Sequence, residues 1–379
     1  MSTGGSDSSK GRTGTGAVSV LVVDDSAVVR GLITRYLESD PAITVAATAG
    51  DGQRAIEALK RTPVDVVVLD VEMPVMDGLT ALPKLLQVRP GVQVLMASTL
   101  THANAEVTVK ALAAGAADYV PKPSTGGLTG ATGFQRQLRD KVKALARPQR
   151  GRRDDGHDVP DRRRSAAPEA PRKPPPPSLT TRAMPKVSPV VVAIGSSTGG
   201  PQALMTVLPQ LAGLAVPVLI TQHMPATFTR LLGEHLSRAA SMPAGEARDG
   251  EPLVGGRVYL APGDYHMLAE REGEGVRIRL TQSPPENFCR PAGDPMLRSL
   301  AETYGRRVLA VILTGMGHDG LRGGRCVVQA GGTVIAQDEA TSVVWGMPGA
   351  VAEAGLCSAV LPVREIAACV RRVSERPAA

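Results

Sequence analysis

At 379 residues, 42% of them hydrophobic and 21% charged, the chain has the length for two soluble globular domains and a connector. No apolar run approaches the ~20 residues of a membrane span, and an aromatic fraction of 2% argues against holding single-stranded nucleic acid by base stacking. The net charge of +7 is local: between positions 147 and 186 eleven Lys/Arg stand against five Asp/Glu, so the basic balance belongs to one stretch and implies no nucleic-acid-binding fold.

In chain order, residues 1–16 are rich in Gly, Ser and Thr without an apolar core, which reads as a disordered tail and not a signal peptide. A cytoplasmic protein is expected. Residues 17–147 alternate short β-branched runs at 18–23, 43–47, 64–69, 92–97 and 117–120 with amphipathic segments near 27–38, 52–60, 79–88 and 103–114. A last helix is expected near 133–146. Continuous apolar strands alternating with helices predict an α/β domain whose parallel sheet is covered on both faces, with functional residues at the C-terminal ends of strands.

Acidic residues stand at those ends: Asp24 and Asp25 after the first run, Asp70 after the third. Three converging carboxylates repel unless a cation lies among them, and an all-oxygen hard site suits Mg²⁺. Ser98 closes the fourth strand, and Lys122 follows the fifth in Pro121-Lys122-Pro123. Both can bind a phosphoryl oxygen. With Val22-Val23-Asp24-Asp25-Ser26, Asp70-Val71-Glu72-Met73-Pro74-Val75-Met76-Asp77-Gly78 and Ala97-Ser98-Thr99, this segment resembles the receiver domain of two-component response regulators. The resemblance implies a flavodoxin-like sheet of strand order 2-1-3-4-5 and phosphorylation of Asp70 by a histidine kinase. It further implies Mg²⁺ on Asp24, Asp25 and Asp70, and Ser98 and Lys122 as a switch pair.

Residues 148–187 hold the basic excess together with Pro160, Pro168, Pro171, Pro174 to Pro177 and Pro185. They read as an extended, partly polyproline linker that cannot bury enough surface to fold. Beyond it, an apolar strand at 190–194 runs into Gly195-Ser196-Ser197-Thr198-Gly199-Gly200, and a helix follows from about Gln202. G-x-S-x-G between strand and helix can present a serine nucleophile and selects Ser197 over Ser196. A phosphate-cradling glycine loop is the competing reading, but the lysine or acidic ribose partner it wants is missing. A serine needs a base, and the base an orienting acid. His223, after the strand at 218–221, and Asp319, in the glycine-rich turn after 308–313, both lie at strand ends. On spacing alone His266 and His318 remain rivals for the base, and Asp264 and Asp294 for the acid. The four cysteines, without CxxC spacing, read as reduced thiols and argue against zinc.

Over 188–372 the chain resembles the catalytic domain of chemotaxis-specific protein-glutamate methylesterases/glutaminases. The segments that carry this are Ala193-Ile194-Gly195-Ser196-Ser197-Thr198-Gly199-Gly200-Pro201, Thr221-Gln222-His223-Met224-Pro225, Ala261-Pro262-Gly263, Leu313-Thr314-Gly315-Met316-Gly317, Asp319-Gly320 and Gly346-Met347-Pro348. The resemblance implies a doubly wound, mostly parallel α/β hydrolytic domain with Ser197 as nucleophile, His223 as general base and acid, and Asp319 orienting His223. It also implies oxyanion stabilisation by Thr198 and the Met316 backbone N–H. His318, Ala292, Trp345 and Gly349 depart from the usual family pattern, and the loop over 286–294 is expected to border the substrate.

The function so implied is a phosphorylation-activated serine hydrolase of glutamyl methyl esters on chemoreceptors, releasing methanol and also able to deamidate receptor glutamines. The hydrolase chemistry needs no cofactor. The implied partners are methyl-accepting receptors and a chemotaxis histidine kinase, for a monomer that meets membranes only through those receptors and binds no nucleic acid. The unphosphorylated receiver is expected to pack over the hydrolase cleft. The alternatives are a serine hydrolase of another ester or amide, and a non-catalytic regulator whose second domain only binds a partner.

Overall fold

The computed structural model describes residues 16–99, 101–122, 128–153, 179–184 and 186–375. The expected tail over 1–15, Pro123, and linker residues 154–178 and 185 lie outside them. The first unit runs β1 (Val18–Val23), α1 (Ala27–Glu38), β2 (Ile43–Ala49), α2 (Gly52–Arg61), β3 (Val66–Asp70), α3 (Gly78–Val88), β4 (Gln93–Ser98), α4 (His102–Ala113), β5 (Asp118–Pro121) and α5 (Leu128–Arg153). All its strand pairs are parallel, in the order β2-β1-β3-β4-β5. The central β3, Val-Val-Val-Leu-Asp, is buried along its whole length, as a strand covered by helices on both faces must be. Ser26, Asp51, Asp77 and Thr101 each accept a backbone N–H from the first turn of α1, α2, α3 and α4, so side-chain caps start the helices where the periodicity predicts.

Helix α5 corrects the expected domain boundary. It begins before 133 and continues to Arg153, so residues 148–153 of the predicted linker are helical. Once a helix is nucleated, each further residue adds one hydrogen bond, so the helix can run on past the end its sequence pattern predicts. Of the remaining described linker, residues 179–184 have no regular structure, and Arg182 N–H donates to Cys357 O at 2.8 Å.

The second unit continues with β6 (Val191–Ser196), α6 (Gly200–Val207), β7 (Val218–Gln222), α7 (Ala226–Ala240), β8 (Ala244–Glu246), β9 (Val258–Leu260), β10 (His266–Glu272), β11 (Gly275–Thr281), α8 (Gly293–Tyr304), β12 (Val308–Ile312), α9 (Leu321–Gln329), β13 (Thr333–Gln337), α10 (Met347–Glu353), β14 (Ala359–Leu361) and α11 (Val363–Ser374). Seven strands form a wholly parallel sheet in the order β14-β13-β12-β6-β7-β9-β8, and β10 and β11 pair separately as an antiparallel hairpin. The chain runs outward from β6 through β7 in one direction and later returns to β12 on the other side. That reversal opens a crevice beyond the C-terminal ends of β6, β7 and β12, where ligands bind in open α/β sheets. No helix among the described residues is long and apolar enough to cross a membrane.

Candidate active site and receiver centre

The strand ends bring His223 and Asp319 into contact, and Ser197 sits in the turn after the neighbouring β6. Ser197 follows β6 in a turn held at both sides: its N–H donates to Thr314 O (3.0 Å), and its carbonyl accepts from Gln222 Nε2 (2.9 Å). Gln222 also accepts from Ser196 Oγ (2.6 Å), so the rejected serine is buried in a structural bond while Ser197 is half-exposed. Gly315 allows the β12 loop to approach this turn: a Cβ there would stand 2.9 Å from Ser197 Cβ. That closeness brings the loop carrying Met316, whose N–H donates to no described group, against the Ser197 turn.

His223 Nε2 lies 2.7 Å from Asp319 Oδ2. Asp319, 1% exposed, also accepts from the N–H groups of Gly293 (2.6 Å) and Asp294 (3.0 Å) and from Asn287 Nδ2 (2.9 Å). Burial alone would raise its pKa, but the His223 bond and charge and the two amides override burial and hold the carboxyl below the usual carboxylate range. Burial disfavours the charged form of His223, yet its hydrogen bonds with Asp319 and Cys289, together with their charges, outweigh burial and raise its affinity for a proton. Three of the rival candidates are placed differently. His266 is buried between Pro284 O (3.2 Å) and Ala292 N–H (3.2 Å), His318 is exposed, and Asp264 pairs with Arg290.

Two features arise from contacts between residues far apart in the chain. Among the described residues Ser197 Oγ forms no hydrogen bond, and the second nitrogen of His223, Nδ1, faces Cys289 Sγ at 3.3 Å. Cys289 and Cys326 are half-buried, and Cys357 and Cys369 buried, all as free thiols. The second feature is the receiver itself. Thr198 Oγ1 donates to Asp118 Oδ2 (2.6 Å), Gly199 N–H to Ala117 O (3.0 Å) and Gln202 Nε2 to Ala116 O (2.6 Å). Tyr119 stacks on Phe228 with ring centroids 4.4 Å apart, and the Arg136 guanidinium lies 5.2 Å from the centre of the Phe288 ring. The receiver thus sits on the turn that carries Ser197, and its Asp118 engages the hydroxyl expected to stabilise an oxyanion.

In the receiver, Asp24, Asp25 and Asp70 place carboxylate oxygens within 4.8 Å of one another. Lys122 Nζ bridges Asp24 Oδ2 and Asp70 Oδ1, each at 2.7 Å. Burial raises the Asp70 pKa, with help from the Asp24 charge and against Lys122. With Asp24 and Asp70 sharing one ammonium and Asp25 beside them, hard oxygen donors are left under-neutralised, so the residues fit a divalent cation such as Mg²⁺. Lys122, expected to bind a phosphoryl oxygen, here pairs with the Asp70 carboxylate itself. Ser98, its expected partner in the switch, instead donates to the carbonyls of Thr99 (3.1 Å) and Asn104 (3.4 Å).

Comparison with known proteins agrees with this layout. The families described as response regulator receiver domain and CheB methylesterase match residues 20–128 and 192–370. The chain is 56% identical over 380 residues to a protein-glutamate methylesterase/protein-glutamine glutaminase of group 2 operon from Rhodospirillum centenum, covering 95% of each chain. It is 57% identical over 379 residues to a protein-glutamate methylesterase/protein-glutamine glutaminase from Azospirillum brasilense, covering 97% of this chain and 95% of that one. A crystal structure of the Thermotoga maritima CheB methylesterase catalytic domain is 43% identical, with a TM-score of 0.48, and covers 49% of this chain and 99% of its own.

Proposed function

The chain belongs to the protein-glutamate methylesterase/protein-glutamine glutaminase family, and from that premise we propose that Ser197, His223 and Asp319 hydrolyse glutamyl methyl esters on chemoreceptors under the control of phosphorylation at Asp70. The observation that carries the reading is the His223–Asp319 pair beside the Ser197 turn. Ser197 Oγ attacks the ester carbonyl carbon and gives its proton to His223 Nδ1, since Nε2 is held by Asp319. His223 then delivers that proton to the departing methoxide, releasing methanol. Water, activated by the same nitrogen, cleaves the acyl-enzyme to glutamate. A glutamine side chain enters the same sequence with ammonia as leaving group. Thr198 and the Met316 N–H serve the developing oxyanion, donors worth roughly 3–4 kcal/mol each in other enzymes.

Asp24, Asp25 and Asp70 would hold Mg²⁺, which would supply positive charge to offset the phosphoryl group; the phosphodonor is a histidine kinase. Lys122 lies one residue beyond β5, and β5 carries the Asp118 and Tyr119 that touch Thr198 and Phe228. A phosphoryl group adds close to two negative charges at Asp70 and draws Lys122 toward it, so the strand that presses on the hydrolase is the one the switch pulls. Moving a closed population from 99:1 to 1:99 takes about 5.5 kcal/mol of differential stabilisation.

One observation favours a second reading: Cys289 and not Ser197 faces the free nitrogen of His223, a nucleophile–base–acid arrangement with a thiol in first place. Methanol release from methylated receptor membranes, measured with a phosphodonor, separates the two. Ser197→Ala is expected to lose at least ~10⁴-fold in rate while Cys289→Ala retains activity. The reverse pattern transfers the nucleophile's role to Cys289.

A further inference from the structure

We infer that Asn287 and Asp294 are positioning residues of the hydrolase, holding Asp319 in place through a reciprocal exchange of carboxylates between the N-termini of α8 and α9. The inference rests on the reading of Asp319 as the acid that orients His223. Asp319, which immediately precedes the turn into α9, accepts the first two N–H groups of α8, from Gly293 (2.6 Å) and Asp294 (3.0 Å). Asp294, in the first turn of α8, accepts the N–H groups of Gly320 (3.0 Å) and Gly323 (2.7 Å) at the start of α9. Each helix therefore satisfies the orphan amides of the other, with a negative charge at each positive end. Gly323 permits the approach, because a Cβ there would stand 2.6 Å from Leu297 Cβ.

Asn287 closes the exchange. Its Nδ2 donates to Asp294 Oδ2 (3.0 Å) and to Asp319 Oδ1 (2.9 Å). Two carboxylate oxygens flank this one atom, which requires it to be the amide nitrogen, with one hydrogen for each acid. Both acids are buried, at 0% and 1% exposure, and such neighbours repel unless donors lie between them. Burial first, then the charge of Asp319, raises the pKa of Asp294. The turn carrying Asn287 is itself tied to α8, where Arg298 Nη1 donates to Glu286 Oε2 at 2.9 Å. The lone pairs of Asp319 not used by His223 are thus all occupied, which leaves the carboxylate one orientation toward the imidazole.

The charged and titratable groups around this pair are Asp294, Cys289, Glu286 with its partner Arg298, and His266. Of these, Asp294 is the buried carboxylate bonded into the network beside Asp319. Removing its charge lowers the proton affinity of His223. The test is methanol release by the full phosphodonor-activated chain across pH, with Asp319→Asn, Asn287→Ala and Asp294→Asn run in parallel and thermal unfolding followed for each. Asn287→Ala and Asp294→Asn are expected to lose about ten- to a hundredfold in kcat with little change in KM. Asp294→Asn is also expected to move the acid limb of kcat/KM to lower pH, which a purely structural role would not do. Wild-type kcat and an unmoved limb in folded variants overturn the inference. Should Asp294→Asn fail to fold, the half-exposed Asn287 decides alone. Retained activity in Asp319→Asn overturns instead the site assignment beneath it.

Discussion

Both parallel sheets gather carboxylates at their C-terminal edges, yet the two acidic centres are built oppositely. In the receiver, Asp24 and Asp70 share the single ammonium of Lys122, Asp25 is exposed, and burial raises the Asp70 pKa. In the hydrolase, Asp319 is surrounded by two amides, Asn287 and His223, and its pKa is lowered. One centre keeps oxygen donors available for exchangeable ligands, a cation and a phosphoryl group. The other consumes every acceptor in protein bonds, which fixes the geometry before substrate arrives. On the proposed reading, the same strand-end placement serves a switch in one domain and a preorganised catalyst in the other.

The contrast can be broken most directly at the acids themselves. Asp319→Asn is expected to lower kcat about 10⁴-fold, the loss that follows when an orienting carboxylate is replaced and the imidazole adopts the wrong tautomer; a loss under tenfold would remove Asp319 from the triad. Asp70→Asn is expected to keep the basal esterase rate and lose all stimulation by acetyl phosphate, so equal stimulation of mutant and wild type would break the switch assignment. A smaller effect sharpens how the two centres communicate. Tyr119→Ala removes an aromatic stack worth about 0.5–1.5 kcal/mol and should raise the unphosphorylated rate roughly two- to tenfold, if the stack closes the cleft. An unchanged basal rate in the folded variant would place the closing contact elsewhere.

The mildest test is pH. His223 must be neutral to act as base, and its proton affinity is raised, so the acid limb of kcat/KM should have its midpoint above 6.5. Asp70 must be ionised to bind Mg²⁺, and its pKa is raised, so affinity for the cation should begin to fall on acidification above the ordinary aspartate range near 3.9. The stability consequences have opposite signs. Asp319, with a lowered pKa, contributes stability above the ordinary carboxylate range that is lost as pH falls through its folded value; ionised Asp70 destabilises at neutral pH and is relieved by protonation. Titration of Mg²⁺ affinity alongside the kinetic limb would show whether the two centres respond separately.

Much of this molecule could be read along the chain. Apolar β-branched runs such as 66–69 and 191–194 can only be buried strands of a covered parallel sheet, and local caps at Ser26, Asp51 and Asp77 start helices near the predicted positions. Strand ends therefore located Asp24, Asp70, Ser197 and His223, because the period and the punctuation that mark a strand's end are local. Helix α5 outran its prediction, since its extension comes from propagation and not from an amphipathic pattern of its own.

Spacing alone left the histidines and acids unresolved; the family resemblance pointed to one set, and the surroundings that distinguish them exist only in the fold. His266, Asp264 and Asp294 differ from His223 and Asp319 in what surrounds them, and those surroundings come from residues 7 to 96 positions away. The same holds for Cys289 against His223, Asn287 between two acids, and Asp118 on Thr198, 80 positions apart. Sequence spacing carries chemistry that one strand or turn can hold. Hydrogen bonds that join separate turns, and one domain seated on another, exist only once the sheets have set those turns side by side.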